Sequence, residues 1–223
     1  MMKKIVFAAL AASASMLASV PASAAINWTD LTSSTATTVS GTVGGVGVTY
    51  SGGGIGFVQT SGGTDYWNGS FISSWDGTIA PPPTSDIIAL DQAGVKTITF
   101  ASAVTDVYLA LNSWNGNAAT FDKNFTAVGF VNGCGYWGCG LLQNVTANSF
   151  TSAAGNEIHG ILKFGGPITS ISFTDQNDEF WHGIQVGVSA VPEPAAWMMM
   201  IGGFAIVGGA MRRRRTAWRA ALA

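Results

Sequence analysis

The sequence predicts an all-β chain: an antiparallel β-sandwich of roughly eight to ten strands, for which a jelly roll is one candidate topology. Three observations lead there. Short apolar runs alternate with a period of two. Gly, Ser, Thr and Asn interrupt these runs at short intervals. Charged residues make up only 10% of the chain, which removes most of the Lys, Arg and Glu that favour helical surfaces. Eight tryptophans and twelve phenylalanines are too many for a disordered chain.

The N-terminus carries a three-part secretory signal. Met1 to Lys4 is a short basic start and Ile5 to Val20 is mostly apolar. Pro21-Ala22-Ser23-Ala24 then places Ala22 and Ala24 at the small-residue positions of a cleavage site. The expected signal helix is residues 1–24, cut after Ala24. Its apolar run is short for a lasting membrane anchor.

Residues 25–191 form the exported body, a length that suits one domain with a sizeable core. The whole-chain charge of −2 conceals its acidity. Seven of the ten bases lie in the end segments, so the body keeps Lys96, Lys123 and Lys163 against eleven acids, a net of −8. That balance excludes a nucleic-acid footprint and disfavours docking on anionic lipid.

Within the body, residues 29–64 are rich in Thr, Ser and Gly and read as edge strands and turns, with Val39 to Tyr50 alternating loosely. Pro81-Pro82-Pro83 is a stiff break in a long loop. Stronger strand signals follow at Val95 to Ala101, Val107 to Leu111, Phe125 to Val131, Ile158 to Phe164, Ile168 to Phe173 and Ile184 to Val188. In the first, Ile98 and Phe100 share a face. In the last, Ile184, Val186 and Val188 face one way and Gln185, Gly187 and Ser189 the other. The final strand should end near Ala190.

Val191-Pro192-Glu193-Pro194 can continue neither a helix nor a central strand. Ala195 to Met211 is uncharged and, as a helix, would be about 26 Å long, slightly short of a ~30 Å hydrocarbon core. Its glycine pairs are tolerated in a membrane. Arg212, Arg213, Arg214 and Arg215 would hold that end on the cytoplasmic side, leaving the body outside. A transmembrane helix over 195–211 is therefore expected, uncut in the simplest case. The order Pro192-Glu193-Pro194, Ala195-Ala196-Trp197, an apolar run and an Arg cluster resembles the PEP-CTERM sorting signal, here over 192–215. The resemblance implies a Gram-negative host, processing near Pro192-Glu193-Pro194 by an exosortase, and association with a biofilm or extracellular polysaccharide matrix. Thr216 to Ala223 extends the tail beyond the usual end of such signals.

Residues with chemical potential are few. Cys134 and Cys139, in Cys-Gly-Tyr-Trp-Gly-Cys, most simply form a disulfide in an exported chain, worth roughly 2 kcal/mol for so small a ring. It would present Tyr136 and Trp137 on a rigid tip. Asp175, Asn177, Asp178 and Glu179 offer oxygens for calcium, but the simpler expectation is a solvated turn whose side chains satisfy local amides. His159 and His182, the only histidines, can be set beside Glu157, Asp178 and Glu179 as a hydrolase site, yet no nucleophile motif accompanies them. Trp67, Trp75, Trp114, Trp137 and Trp181 sit beside turn residues; they either cap the sandwich core or offer flat faces to sugar rings. The sequons at Asn27, Asn68, Asn124 and Asn144 carry no weight in a bacterium. No catalytic residue, metal site or cofactor is assigned. The expectation is a non-enzymatic surface or matrix protein, with a carbohydrate-binding module, calcium-assisted or not, as the alternative and a glycan-active hydrolase third.

Overall fold

The computed structural model describes residues 25–67, 79, 81–83, 85–130, 136–189, 200–205, 207, 208 and 212. Twelve strands are described: β1 Ile26–Trp28, β2 Asp30–Ser34, β3 Thr38–Val43, β4 Val46–Gly52, β5 Ile55–Gln59, β6 Ile87–Leu90, β7 Gly94–Trp114, β8 Ala118–Phe121, β9 Thr126–Phe130, β10 Ser149–Thr151, β11 Ile158–Asp175 and β12 His182–Ser189. Every strand pairing is antiparallel, as period-two alternation predicts.

Two strands organise the rest. The segments expected as separate strands at 95–101 and 107–111 are one continuous β7 of 21 residues. Those at 158–164 and 168–173 are one continuous β11 of 18 residues. They pair along almost their whole length, and the register slips between Phe164 and Pro167 and again between Ile168 and Ser170. Asp106 (φ 51°) and Gly166 (φ 88°) mark the bend. Such bulges let a strand pass from one layer of a sandwich to the other. The first half of β7 pairs with β4, and the second half of β11 with β8. Beyond the bend, β7 pairs with β12 and β11 with β9. One layer is thus β2-β3-β4-β7-β11-β8-β10. The other is β9-β11-β7-β12-β6-β5, with β1 beside the end of β12.

The main core lies between these layers. Val48, Ile98, Phe100 and Phe173 come from the first, and Val107, Leu109, Leu162, Ile184 and Val186 from the second. The outer face of the second layer carries its own apolar cover, in which Tyr108, Ala110 and Ile161 pack with Ile87, Trp67 and the partly buried Trp28, Phe57, Tyr66 and Trp181. β12 is buried on both faces. Its polar face is covered as well. Gln185 is buried and donates to the Thr29 carbonyl at 3.0 Å. A Cβ on Gly187 would lie 2.5 Å from Ile26 Cγ2 and 2.8 Å from Trp28 Cε3, so β1 can approach only a glycine here.

The N-terminal strands also differ from the simple expectation. The 39–50 run is a hairpin, β3 to β4, turning at Gly44 (φ 56°) and Gly45 (φ 81°). Two consecutive positive φ values suit the type I′ turn that matches strand twist. β3 and β4 are interior strands, because β4 pairs with β7. The final strand is described to Ser189, next to the expected end near Ala190, which lies outside the described residues.

The proposed signal helix lies outside the described residues. So do most of the 195–211 segment and the sorting residues Pro192, Glu193, Pro194, Trp197, Arg213, Arg214 and Arg215. Residues 200–205, 207, 208 and 212 are helical. Among the described residues, no helix is long and apolar enough to cross a membrane.

Candidate functional site

Because β7 and β11 fold over at their midpoints, their ends return to one end of the sandwich. There β7 contributes Ser113, the following turn Asn115 and Asn117, the residue before β11 Glu157, and the segment after it 175–181. A cleft of about 440 Å³ opens among Ser113, Asn115, Trp137, Glu157, Asp178, Glu179, Phe180 and Trp181. That volume lies within the range of small-molecule sites.

Beneath the cleft runs a buried chain of alternating charge. Lys96 sits on the inward face of β7, in the same parity as Ile98 and Phe100, and is 1% exposed. Its Nζ lies 2.6 Å from Asp175 Oδ1 and also donates to the carbonyls of Gln92 and Gly94. Three acceptors are what a buried ammonium needs. The other oxygen, Asp175 Oδ2, lies 3.2 Å from His182 Nε2, and His182 Nδ1 lies 3.1 Å from Glu179 Oε1. Each ring nitrogen of His182 thus faces one carboxylate oxygen. Burial pulls the His182 pKa down, but the two flanking carboxylates more than reverse this and leave it raised. The ring also packs on Trp114, with centroids 4.1 Å apart.

Asn117 orders the loop above this chain. Its Oδ1 accepts from the amides of Ala118, Gln176 and Asn177, and its Nδ2 donates to the Asn177 carbonyl and to Glu179 Oε1. Glu179 Oε2 accepts from the Asn115 amide at 2.9 Å, and Asp178 Oδ1 from the Ala93 amide at 2.7 Å. The carboxylates of Asp175, Asp178 and Glu179 are therefore directed to separate protein donors. Asp175 is buried rather than solvated, and Asn177 caps the Gly116 carbonyl with its amide. Among the described residues, no group of three or more His, Cys, Asp or Glu side chains forms a metal cradle. Asp178 is exposed as a turn residue should be, but the amide it satisfies is that of Ala93 on a distant segment rather than a local one, and the solvated expectation is corrected for Asp175 by the demands of Lys96.

The cleft wall is built by glycine. The 136–140 loop docks on residues 156–158 through Gly140 N–H to Glu157 O at 2.9 Å. A Cβ on Gly140 would lie 2.3 Å from the Asn156 carbonyl oxygen, and one on Gly138 2.7 Å from the Glu157 amide nitrogen. Only glycine permits that approach. The Tyr136 amide donates to His159 Nε2 at 3.1 Å. Burial lowers the His159 pKa to about 4, with a backbone hydrogen bond acting weakly the other way, so this ring is neutral. Cys134 lies outside the described residues, so the expected Cys134–Cys139 bond does too; Cys139 itself has a partner.

The tryptophans divide. Trp67 and Trp114 are fully buried, their indole N–H groups bonded to the carbonyls of Asp86 and Gly183. These two are core. Trp181 is half-buried against Phe57 and Tyr66. Trp137 is 56% exposed on the cleft wall, and Phe180, which sequence reasoning did not single out, is 95% exposed at the opening. Trp75 lies outside the described residues.

Ser113 was also not foreseen. Its φ is 61°, rare for a residue with a side chain, and its hydroxyl donates to Glu157 Oε2. Burial raises the Glu157 pKa, the Ser113 hydrogen bond opposes this, and the charge of Glu179 adds to the rise. His182 is thus joined to Asp175 and Glu179, while Glu157 and Asp178 face the cleft separately.

The family model of the PEP-CTERM protein-sorting motif matches residues 190–215. No curated protein and no solved structure matches the chain.

Proposed function

We propose that this chain, whose C-terminus carries a PEP-CTERM sorting motif, is an exported, exosortase-sorted cell-surface protein whose β-sandwich binds carbohydrate without cleaving it. The sorting motif supports export through the membrane to the surface. In the proposal, residues 1–24 are removed on export, the helix over 195–211 holds an inner-membrane intermediate, and the exosortase acts near Pro192-Glu193-Pro194. The mature protein then joins the extracellular matrix of a Gram-negative cell.

One observation carries the binding half: exposed aromatic rings and fixed hydrogen-bonding groups share one cleft. Trp137 and Phe180 offer flat apolar surface to the C–H face of a sugar ring. Glu157, Asp178 and Glu179 offer acceptors to its hydroxyls, and the Ser113 and Asn115 side chains stand beside them. The Cys134–Cys139 bond, if formed, stiffens the loop that carries Trp137. The test is co-sedimentation of the exported protein with its host's extracellular polysaccharide, with and without a chelator. Saturable binding that is insensitive to chelation, and reduced in Trp137→Ala, is expected. No binding by the native protein would sink the proposal. Loss on chelation would return the 175–179 loop to a calcium role.

A second reading rests on the carboxyls. Glu157 and Glu179 line one cleft, and burial, with the charge of Glu179 adding to it, raises the Glu157 pKa, as for the acid partner of a glycosidase carboxyl pair. Release of new reducing ends from the same polysaccharide, abolished in Glu157→Gln, would establish a hydrolase and end the non-enzymatic reading.

A further inference from the structure

The cleft's charge narrows the class of sugar. Its described lining has three carboxyl groups and neither lysine nor arginine. No lysine of the described body is placed to serve it. Lys96 is buried against Asp175, Lys123 pairs with Asp122 at 3.2 Å, and Lys163 pairs with Asp106 at 2.9 Å beside the bend. The buried chain Lys96–Asp175–His182–Glu179 is balanced in itself, two cations against two anions when His182 is protonated. Glu157 and Asp178 are not part of that balance. Their contacts are neutral donors, the Ser113 hydroxyl and the Ala93 amide. Two anionic groups therefore face an opening rimmed by Trp137 and Phe180. The backbone at Ser113 stays in the left-handed region where it donates to Glu157, and strain of this kind persists where surrounding structure holds it, often at ligand sites.

We propose that the cleft recognises a cationic amino sugar, the ammonium-bearing unit of a deacetylated hexosamine polymer, through Glu157 and Asp178 with Trp137 and Phe180 against the ring. This rests on the carbohydrate-binding reading and specifies its ligand. An ammonium against a carboxylate gains a charge-assisted hydrogen bond, and a neighbouring aromatic face adds cation–π attraction. A uronic acid polymer would meet like charge with no compensating base.

The test titrates the full chain in neutral detergent, at pH 6 and 0.15 M salt, with three hexasaccharides: glucosamine, N-acetylglucosamine and galacturonic acid. We expect the glucosamine oligomer to bind about tenfold more tightly than its acetylated counterpart, the worth of one charge-assisted bond, and the galacturonate not to bind. Glu157→Gln, which preserves shape and keeps one oxygen acceptor, removes that preference, because it weakens the glucosamine oligomer far more than the acetylated one. Asp178→Asn reduces it. The body is acidic enough to attract any polycation, and Trp137→Ala separates the cases because it keeps every charge. A preference for glucosamine that survives both Glu157→Gln and Trp137→Ala is diffuse attraction and overturns the proposal. Equal affinity for the two hexosamines, or binding of galacturonate, overturns it while the carbohydrate-binding reading stands. No binding of any oligomer or of the host polysaccharide overturns both.

Discussion

His159 and His182 lie on neighbouring parts of the same sandwich, 2% and 0% exposed, yet their pKa values are pushed in opposite directions. His159 accepts from the Tyr136 amide, and burial keeps it neutral with a pKa of about 4. His182 lies between Asp175 and Glu179, and their charges keep it protonated beyond its ordinary range. Burial is common to both, so the neighbours decide. His159 acts as a neutral clamp for the loop that carries Trp137. His182 stands between two carboxylates in a buried row that ends at the cleft.

The largest way to break this contrast is Asp175→Asn. It strips Lys96 of its counter-charge and His182 of one of two carboxylates. Removing one partner of a buried pair costs about 3–5 kcal/mol. Urea unfolding should show that loss, and NMR titration should place the His182 pKa below the wild-type value. An unchanged His182 titration would mean that Glu179 alone sets it.

Acid titration tests the other histidine. The His159 pKa is depressed, so the unfolded chain takes up its proton first as pH falls below about 6.5, and the folded chain follows near 4. Stability contributed by the neutral ring is lost across that window, by on the order of 3 kcal/mol. His159→Gln should flatten that part of the curve. A variant curve parallel to wild type would assign the acid loss elsewhere.

His182 has the opposite sign. Its folded pKa is raised, so its contribution is full below about 6.5 and disappears as pH rises through the raised value. Urea midpoints should fall on the alkaline side in wild type and fall less in His182→Gln. A smaller effect is expected at Glu157. Its raised pKa means that ionisation at neutral pH opposes folding, so Glu157→Gln should keep or slightly raise the midpoint at pH 7 while reducing ligand binding. A lower midpoint would show that the Ser113 bond outweighs burial.

The longer alternating strands were legible because alternation is local, whereas the short β6, β8 and β10 fall where no strand is predicted. Ile184 to Val188 and Val107 to Leu111 announce themselves in five residues each. The Gly44-Gly45 turn left a local mark, a two-residue glycine loop between alternating apolar residues, that the reading of 29–64 as edge strands and turns does not single out. The joining of strands across both layers was not legible. Ala101 to Asp106 and Gly165-Gly166-Pro167 look like ordinary connections, and only their partners show that pairing continues across them. The site suffered for the same reason. Lys96, Asp175 and His182 meet because β7 and β11 fold over, a long-range event that leaves no local mark. One clue was present: Lys96 shares parity with Ile98 and Phe100, and a lone lysine on an inward face demands a buried acid. Asn117 gave a weaker one, in the turn sequence Asn115-Gly116-Asn117. Trp67 and Trp114 could not be told from Trp137 by neighbours alone, since all three stand next to turn residues.

The position of β12 has a mechanical consequence. It is flanked by β7 on one side and by β6 and β1 on the other, and it is described to Ser189, next to the sorting segment. A tether attached beyond Ser189 would pull along the axis of an interior strand. Its hydrogen bonds lie across that axis and would bear the load together, in shear, rather than opening one at a time as on a peeled edge. β1, at the start of the described body, grips the same last three residues. Tension on the anchor would thus be met first by the strand that also holds His182, and the cleft would stay shaped under a drag that would unravel an edge-tethered domain.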